Sequence, residues 1–247
     1  MTGYFLPDGA FRSEICFCTD DTDRFGRVAA SALLWQMQEI AGAHYEALGY
    51  GAALVRSHGC FWAVIRSEAD ISVLPVPGEP LWLDTWTGRS AHGLYRRHYL
   101  LQRPDGTALV RSVSVWVLMD MAERQLAADR SWLPDPQAVT RPGELSPARR
   151  EPFPELAGSA ERTVSDSETD INGHLNNTVY LRWAADLLPG EFAAAHVLRA
   201  FRVEYKKELT PGETAVLSYS LDGRTLCLRG DADGRESFLM RCYYDPI

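Results

Sequence analysis

Asp170, Asn172 and His174 stand at alternate positions, followed by Asn176 and Asn177 and then by an apolar run. Turns use Asn, Asp and Gly for their backbone habits and have no need of a histidine. In an extended segment residues i, i+2 and i+4 point to one side, so the spacing predicts that the three side chains face one small volume. Read for structure alone, the stretch is a loop and a helix cap, since Asn and Thr are good N-caps. Read for chemistry, it supplies a carboxylate, a carboxamide and an imidazole, the groups that aim water and stabilise developing negative charge.

The elements that position them can be read along 247 residues with 46% hydrophobic and 11% aromatic content, enough for packed cores in one large domain or two. A net charge of -8 argues against nucleic acid as a partner. No apolar stretch approaches the length of a membrane span. The first residues, with no basic region before a long apolar core, are expected to be neither a secretory signal nor an Arg- and Ser-rich organelle leader. The five cysteines, Cys16, Cys18, Cys60, Cys227 and Cys242, fit neither a zinc site nor a redox pair. They are expected to be reduced and mostly structural, with Cys16, Cys227 and Cys242 inside apolar strands, which implies the cytoplasm. No metal and no cofactor is expected.

Residues 11–19 read as a strand, 28–48 as a long helix with His44 on its apolar stripe, and 63–74, 81–87, 94–102 and 107–119 as antiparallel strands between turn signals. From 131 to 155 six of the fourteen prolines (Pro134, Pro136, Pro142, Pro147, Pro152, Pro154) exclude helix and central strand. The order then repeats: a strand near 161–165, the polar motif, a helix over 178–188 stopped by Pro189-Gly190, a strand over 197–209, and strands near 214–221, 224–230 and 236–244. The expected division is 1–130, a linker at 131–155 and 156–247.

A shift of 147 lays Thr22, Asp23 and Gly26 over Thr169, Asp170 and Gly173, and a shift of 134 lays Pro77-Gly78-Glu79 over Pro211-Gly212-Glu213. This predicts two copies of one strand–helix–sheet unit. Where the second copy has Asn172, His174 and Glu208, the first has Phe25, Arg27 and Leu74. Turn chemistry should survive in both copies, whereas a polar set kept in one copy is what a single active site in a duplicated fold would leave.

The strand–long helix–antiparallel sheet order resembles the hotdog fold. Asp170-x-Asn172-x-His174-x-Asn176-Asn177-x-x-Tyr180 resembles the signature of acyl-acyl carrier protein thioesterases, which carry two such units in tandem. Ser114–Met119 followed by Arg124 is similar to that family's strand at the end of the first unit, and Glu204-Tyr205-Lys206-Lys207-Glu208 to its Glu-Tyr-Arg-Arg-Glu segment. Leu209 stands where plant members have a cysteine, so a Cys nucleophile is excluded at that position, and the chain resembles the compact bacterial-type members.

The resemblance implies an α+β class of two tandem hotdog units, each an antiparallel sheet around a long helix. It also implies hydrolysis of an acyl-carrier thioester to free fatty acid, ending chain elongation. Asp170, Asn172, His174 and Glu208 are the expected catalytic set. Asp170 or Glu208 aims water with His174 as partner, or Asp170 attacks directly to give an anhydride. Asn172 supplies an amide donor or holds the carboxylate, and backbone N–H groups near Asn176, Asn177 and Thr178 assist the oxyanion.

The acyl slot is expected beside the first long helix, with Trp35, Met37, Ile40, Tyr45, Trp62 and Val64 as candidates. The acidic carrier protein needs a local basic patch, for which Arg199, Arg202, Lys206 and Lys207 are the first choice and Arg149-Arg150 the second. A homodimer is compatible with this reading. The alternatives are an acyl-CoA thioesterase, a hotdog dehydratase, and a module that binds acyl chains without turnover.

Overall fold

The computed structural model describes residues 1–133 and 138–247, so Pro134 and Pro136 lie outside the described residues. In chain order the first half comprises β1 (Tyr4–Phe5), β2 (Phe11–Ile15), α1 (Ala30–Ala47), α2 (Ala52–Ser57), β3 (Cys60–Ile71), β4 (Leu81–Thr87), β5 (Tyr95–Gln102) and β6 (Ala108–Asp120). The second comprises β7 (Gly158–Thr163), α3 (Val179–Asp186), α4 (Gly190–Ala195), β8 (His196–Tyr205), β9 (Thr214–Asp222), β10 (Thr225–Ala232) and β11 (Arg235–Pro246). The described residues of 131–155 form no strand or helix.

All strands join one sheet in the order β1-β2-β4-β5-β6-β3-β8-β11-β10-β9-β7. Its two halves meet where β3 pairs antiparallel with β8, Glu68 directly opposite Arg202. The strands are rich in β-branched and aromatic residues and alternate between a face turned to the helices and a face turned away. The helix-side core runs through both halves, including Leu33, Met37 and Ile40 of α1, Val179 and Trp183 of α3, and Phe201, Leu228 and Phe238 of the sheet.

The duplication is visible in backbone detail. Asp23 N–H donates to Arg27 O at 2.8 Å, and Asp170 N–H to His174 O at 2.8 Å. Gly26 (φ +74°) and Gly173 (φ +76°) occupy the same left-handed position, which L side chains resist. Gly78 N–H bonds Phe17 O and Gly212 N–H bonds Val164 O, both at 2.9 Å.

Three expectations are corrected. The second unit's helix is not long, since α3 has eight residues against eighteen in α1. Pro189 stops it, and a separate short helix, α4, starts at Gly190. The short helix α2 was also not foreseen. The strand expected over 197–209 ends at Tyr205, because the N–H groups of Lys206 and Lys207 both turn to Ser237 O. Cys16 is exposed rather than held in an apolar strand, although all five thiols are free and Cys60, Cys227 and Cys242 are buried.

His44 is the core histidine its position suggested. It stacks on Phe11 with ring centroids 5.4 Å apart, and its Nδ1 lies 2.8 Å from Arg97 Nη1. Burial, and then the Arg97 charge, lower its pKa to about 3. The unfolded chain therefore takes up a proton near pH 6.5 that the folded chain refuses until about pH 3, so this group's contribution is present above pH 6.5 and is lost on acidification through that window. Unfolding free energy should fall there by up to about 1.4 kcal/mol per pH unit on this account. Urea titrations from pH 7 to 4 check it: His44→Gln should show a shallower slope than the unsubstituted chain, and equal slopes would contradict it.

Candidate active site

Asp170, Asn172, His174, Asn177 and Glu208 line one cleft of about 280 Å³. Phe61 to Ile65 of β3 form its apolar wall, and Tyr180 and Tyr205 also line it. Asp170–His174 is not an extended segment, as alternation had suggested, but a tight turn closed by Gly173. The turn still brings the polar groups together. Asp170 accepts Asn172 N–H at 2.8 Å and His174 N–H at 3.4 Å on Oδ1, and Asn172 Nδ2 at 3.3 Å on Oδ2. In the first copy Asp23 does the same for Phe25 N–H (2.8 Å) and Arg27 N–H (3.0 Å). Asp170 is thus first a turn builder, and its carboxylate then fixes the Asn172 amide.

Glu208 reaches the site from the loop beyond β8. Leu175 N–H donates to Leu209 O at 2.7 Å, which clips the residue after His174 to the residue after Glu208. His174 Nε2 consequently lies 3.3 Å from Glu208 Oε2. Arg124, from the loop after β6, donates to Glu208 and lies 3.2 Å from His174 Nε2 through Nη2. Its backbone is left-handed (φ 53°) and its guanidinium sits 5.1 Å from the Phe61 ring centroid.

Tyr180 and Tyr205 meet edge to face at 5.4 Å. Burial, followed by the charges of Glu208, Asp170 and Glu213, holds the Tyr180 phenol protonated far above its ordinary range. Burial and then Tyr180 do the same for Tyr205, whose hydroxyl donates to Asn177 O at 3.1 Å. The N–H groups of Asn176 and Thr178 are occupied by Glu168 O and Asn176 Oδ1, both at 2.9 Å. Among the described residues Asn177 N–H has no acceptor, which leaves it available as a backbone donor in the cleft.

The family description "Acyl-ACP thioesterase N-terminal domain" matches residues 9–129, and "Acyl-ACP thioesterase C-terminal domain" matches residues 157–229. The chain belongs to the acyl-ACP thioesterase family. It is 28% identical over 164 residues to a chloroplastic palmitoyl-acyl carrier protein thioesterase of Gossypium hirsutum, covering 60% of this chain and 38% of that one. It is 27% identical over 235 residues to a chloroplastic dodecanoyl-[acyl-carrier-protein] hydrolase of Cinnamomum camphora, covering 85% and 59%. The chain therefore spans about half the length of the curated relatives it matches. Its fold is that of an acyl-ACP thioesterase from Bacteroides thetaiotaomicron (TM-score 0.86, 20% identity, 96% and 98% of the two chains covered). It is also that of the 12:0-ACP thioesterase from Umbellularia californica (TM-score 0.83, 20% identity, 96% and 98% covered).

In this thioesterase-family chain the remaining expected site residues divide. Trp62 and Val64 line the cleft, and Tyr45 stacks on Trp62 with centroids 5.5 Å apart. Met37 and Ile40 are fully buried in the core. Trp35 is not brought to the site: it is 46% exposed in a separate open groove between α1 and α3. Asn176 faces that same groove, because its Oδ1 is turned to Thr178.

Lys206 and Lys207 stand at the cleft, paired with Glu236 and Glu213. Arg199 does not join them. Arg199 pairs with Asp245 and donates to Ser72 O at the far end of β3, and it lies seven residues, roughly 23 Å, along the chain from Lys206. Arg202, held by Glu68 at 3.0 Å and Asp70 at 2.6 Å, lines a neighbouring groove together with Lys206, Arg149 and Arg150.

Three cleft residues, Tyr180, Tyr205 and Arg124, stand in the quoted motifs but carry no role in the sequence reading. Tyr180 and Tyr205 replace Leu33 and Ile71 of the first copy, so the comparison that isolated His174 contained their signal too. Arg124 had none beyond its place after a quoted strand.

Proposed function

We propose that this chain hydrolyses the thioester of a fatty acyl group on acyl carrier protein, releasing the free acid and the carrier thiol. The observation that carries this is the shared cleft, in which a His174–Glu208 pair faces an apolar strand wall and the uncommitted Asn177 N–H. Water held by Glu208 and His174 attacks the thioester carbon, and the pair takes its proton. Negative charge on the carbonyl oxygen is met by Asn177 N–H and by the Asn172 amide that Asp170 aims. The tetrahedral intermediate then expels the carrier sulfur, which leaves as thiol once protonated. Asp170 already accepts three hydrogen bonds within its turn, which favours an orienting role over nucleophilic attack. The acyl chain runs along Trp62 and Val64.

The carrier is proposed to dock at Lys206, Lys207 and the adjoining outer-face groove. Six cationic side chains line that groove, Arg149 and Arg150 among them, against Glu151 and Glu204. This local charge opposes the net -8 of the chain and suits an acidic partner. The test is kcat/KM for one acyl group on carrier protein and on coenzyme A. A clear preference for the carrier, reduced by charge reversal at Lys206 and Lys207, is expected. A preference for coenzyme A indifferent to that reversal would replace this reading with acyl-CoA hydrolysis.

A further inference from the structure

The duplicated turn of the first unit faces a cavity of its own. Its volume is about 450 Å³, larger than the catalytic cleft and within the roughly 300–1,000 Å³ of ligand sites. The repeat relates the two. Leu198 corresponds to Val64, Leu74 to Glu208, Arg27 to His174 and Phe25 to Asn172. The groups that could aim water are thus gone, and Leu181, Leu188, Cys242 and Tyr244 extend an apolar interior.

The charges at the mouth are Asp23, Arg24, Arg27, Arg182, Asp186 and His196. Arg27 is consumed: Nε pairs with Asp23 at 2.9 Å, Nη1 donates to His196 O at 2.7 Å and Nη2 to Ala193 O at 2.8 Å. Asp186 pairs with Arg162 at 3.1 Å, and His196 Nδ1 lies 3.0 Å from Phe192 O. Arg24 and Arg182 are exposed and have no carboxylate partner among the described residues. An apolar chamber whose uncompensated charges are two guanidiniums is complementary to a long apolar chain ending in an anion.

We propose that this cavity is a second ligand site, which binds long-chain carboxylates and does not turn them over. The head group pairs with Arg24 and Arg182, and the chain lies against Leu74, Leu181 and Leu198. The site goes beyond the hydrolytic reading and stands whichever carrier the enzyme prefers.

Two measurements test it. Crystals of the unsubstituted protein soaked with 12-bromododecanoate should show an anomalous bromine peak in this cavity, whether or not one also appears in the catalytic cleft. Calorimetric titration with dodecanoate should resolve a binding event that Arg24→Glu/Arg182→Glu weakens roughly tenfold or more, with kcat/KM for thioester hydrolysis unchanged. Bromine confined to the catalytic cleft, bromine nowhere, or a titration indifferent to the charge reversal would each overturn the proposal. Thioester turnover is measured separately, so loss of the hydrolytic reading and loss of this site are distinguishable.

Discussion

His174→Ala is expected to lower kcat for thioester hydrolysis by roughly 10²–10⁴-fold, the usual worth of a positioned acid–base group. The magnitude follows from its setting. His174 is the imidazole of the cleft, 3.3 Å from Glu208, and its backbone rather than its ring closes the turn. Removing the ring leaves the Asp170 turn and the Leu175–Leu209 clip intact, so the folded structure should persist. Thermal unfolding of the variant should stay close to that of the unsubstituted chain, and KM should move far less than kcat because the acyl wall at Trp62 and Val64 is untouched. A His174→Ala variant with kcat within a few-fold of the unsubstituted chain would remove the base from this site. A large drop in unfolding temperature would instead make the loss of turnover uninformative, and Glu208→Gln, on an exposed loop, would then carry the measurement.

Glu68→Gln should lower unfolding free energy by about 3 kcal/mol, near the lower end for breaking a buried ion pair by removing one partner. Glu68 is wholly buried. It pairs with Arg66, with Arg202 at 3.0 Å, and accepts Ala148 N–H at 3.0 Å, so it ties the two halves of the sheet to the proline-rich segment crossing its outer face. Arg202 retains Asp70 at 2.6 Å, which limits the loss, whereas among the described residues Arg66 keeps only the Ala148 carbonyl at 2.7 Å. For a chain of this length the unfolding midpoint should fall by roughly 10 °C. Chemical denaturation at neutral pH measures it directly. An unchanged midpoint would mean that water reaches Arg66 readily and that the network is weakly desolvated.

Both expectations concern residues that sequence reading treats unequally. His174 stands out from sequence because the duplicated chain contains its own control: the turn survives at Asp23 and Gly26, but an arginine stands at the histidine's position. Glu68 offers no such signal. An acidic residue on an alternating strand reads as a solvated charge, and only the covering segment from 148 onward makes it a buried one. Arg199 fails in the same way. It stands on β8, the strand that leads toward Lys206, yet the partners that occupy it are Ser72 O, just beyond β3, and Asp245 of β11.

The order of the main strands and helices, the duplication, the polar set kept in one copy and the proline-rich segment between the copies were all determined by residue type and spacing. Those are local properties, set by periodicity, turn chemistry and backbone constraint, and they hold before the chain folds back on itself. Tertiary structure alone decided which polar groups share a volume. Arg124 reaches Glu208 across 84 residues of chain, Trp35 falls on the wrong side of its helix, and a second cavity opens beside a turn that has lost its base. The physical reason is that strand register and the pairing of β3 with β8 fix these meetings. Register depends on pairing energies summed over both halves of the sheet, which no single stretch of sequence contains.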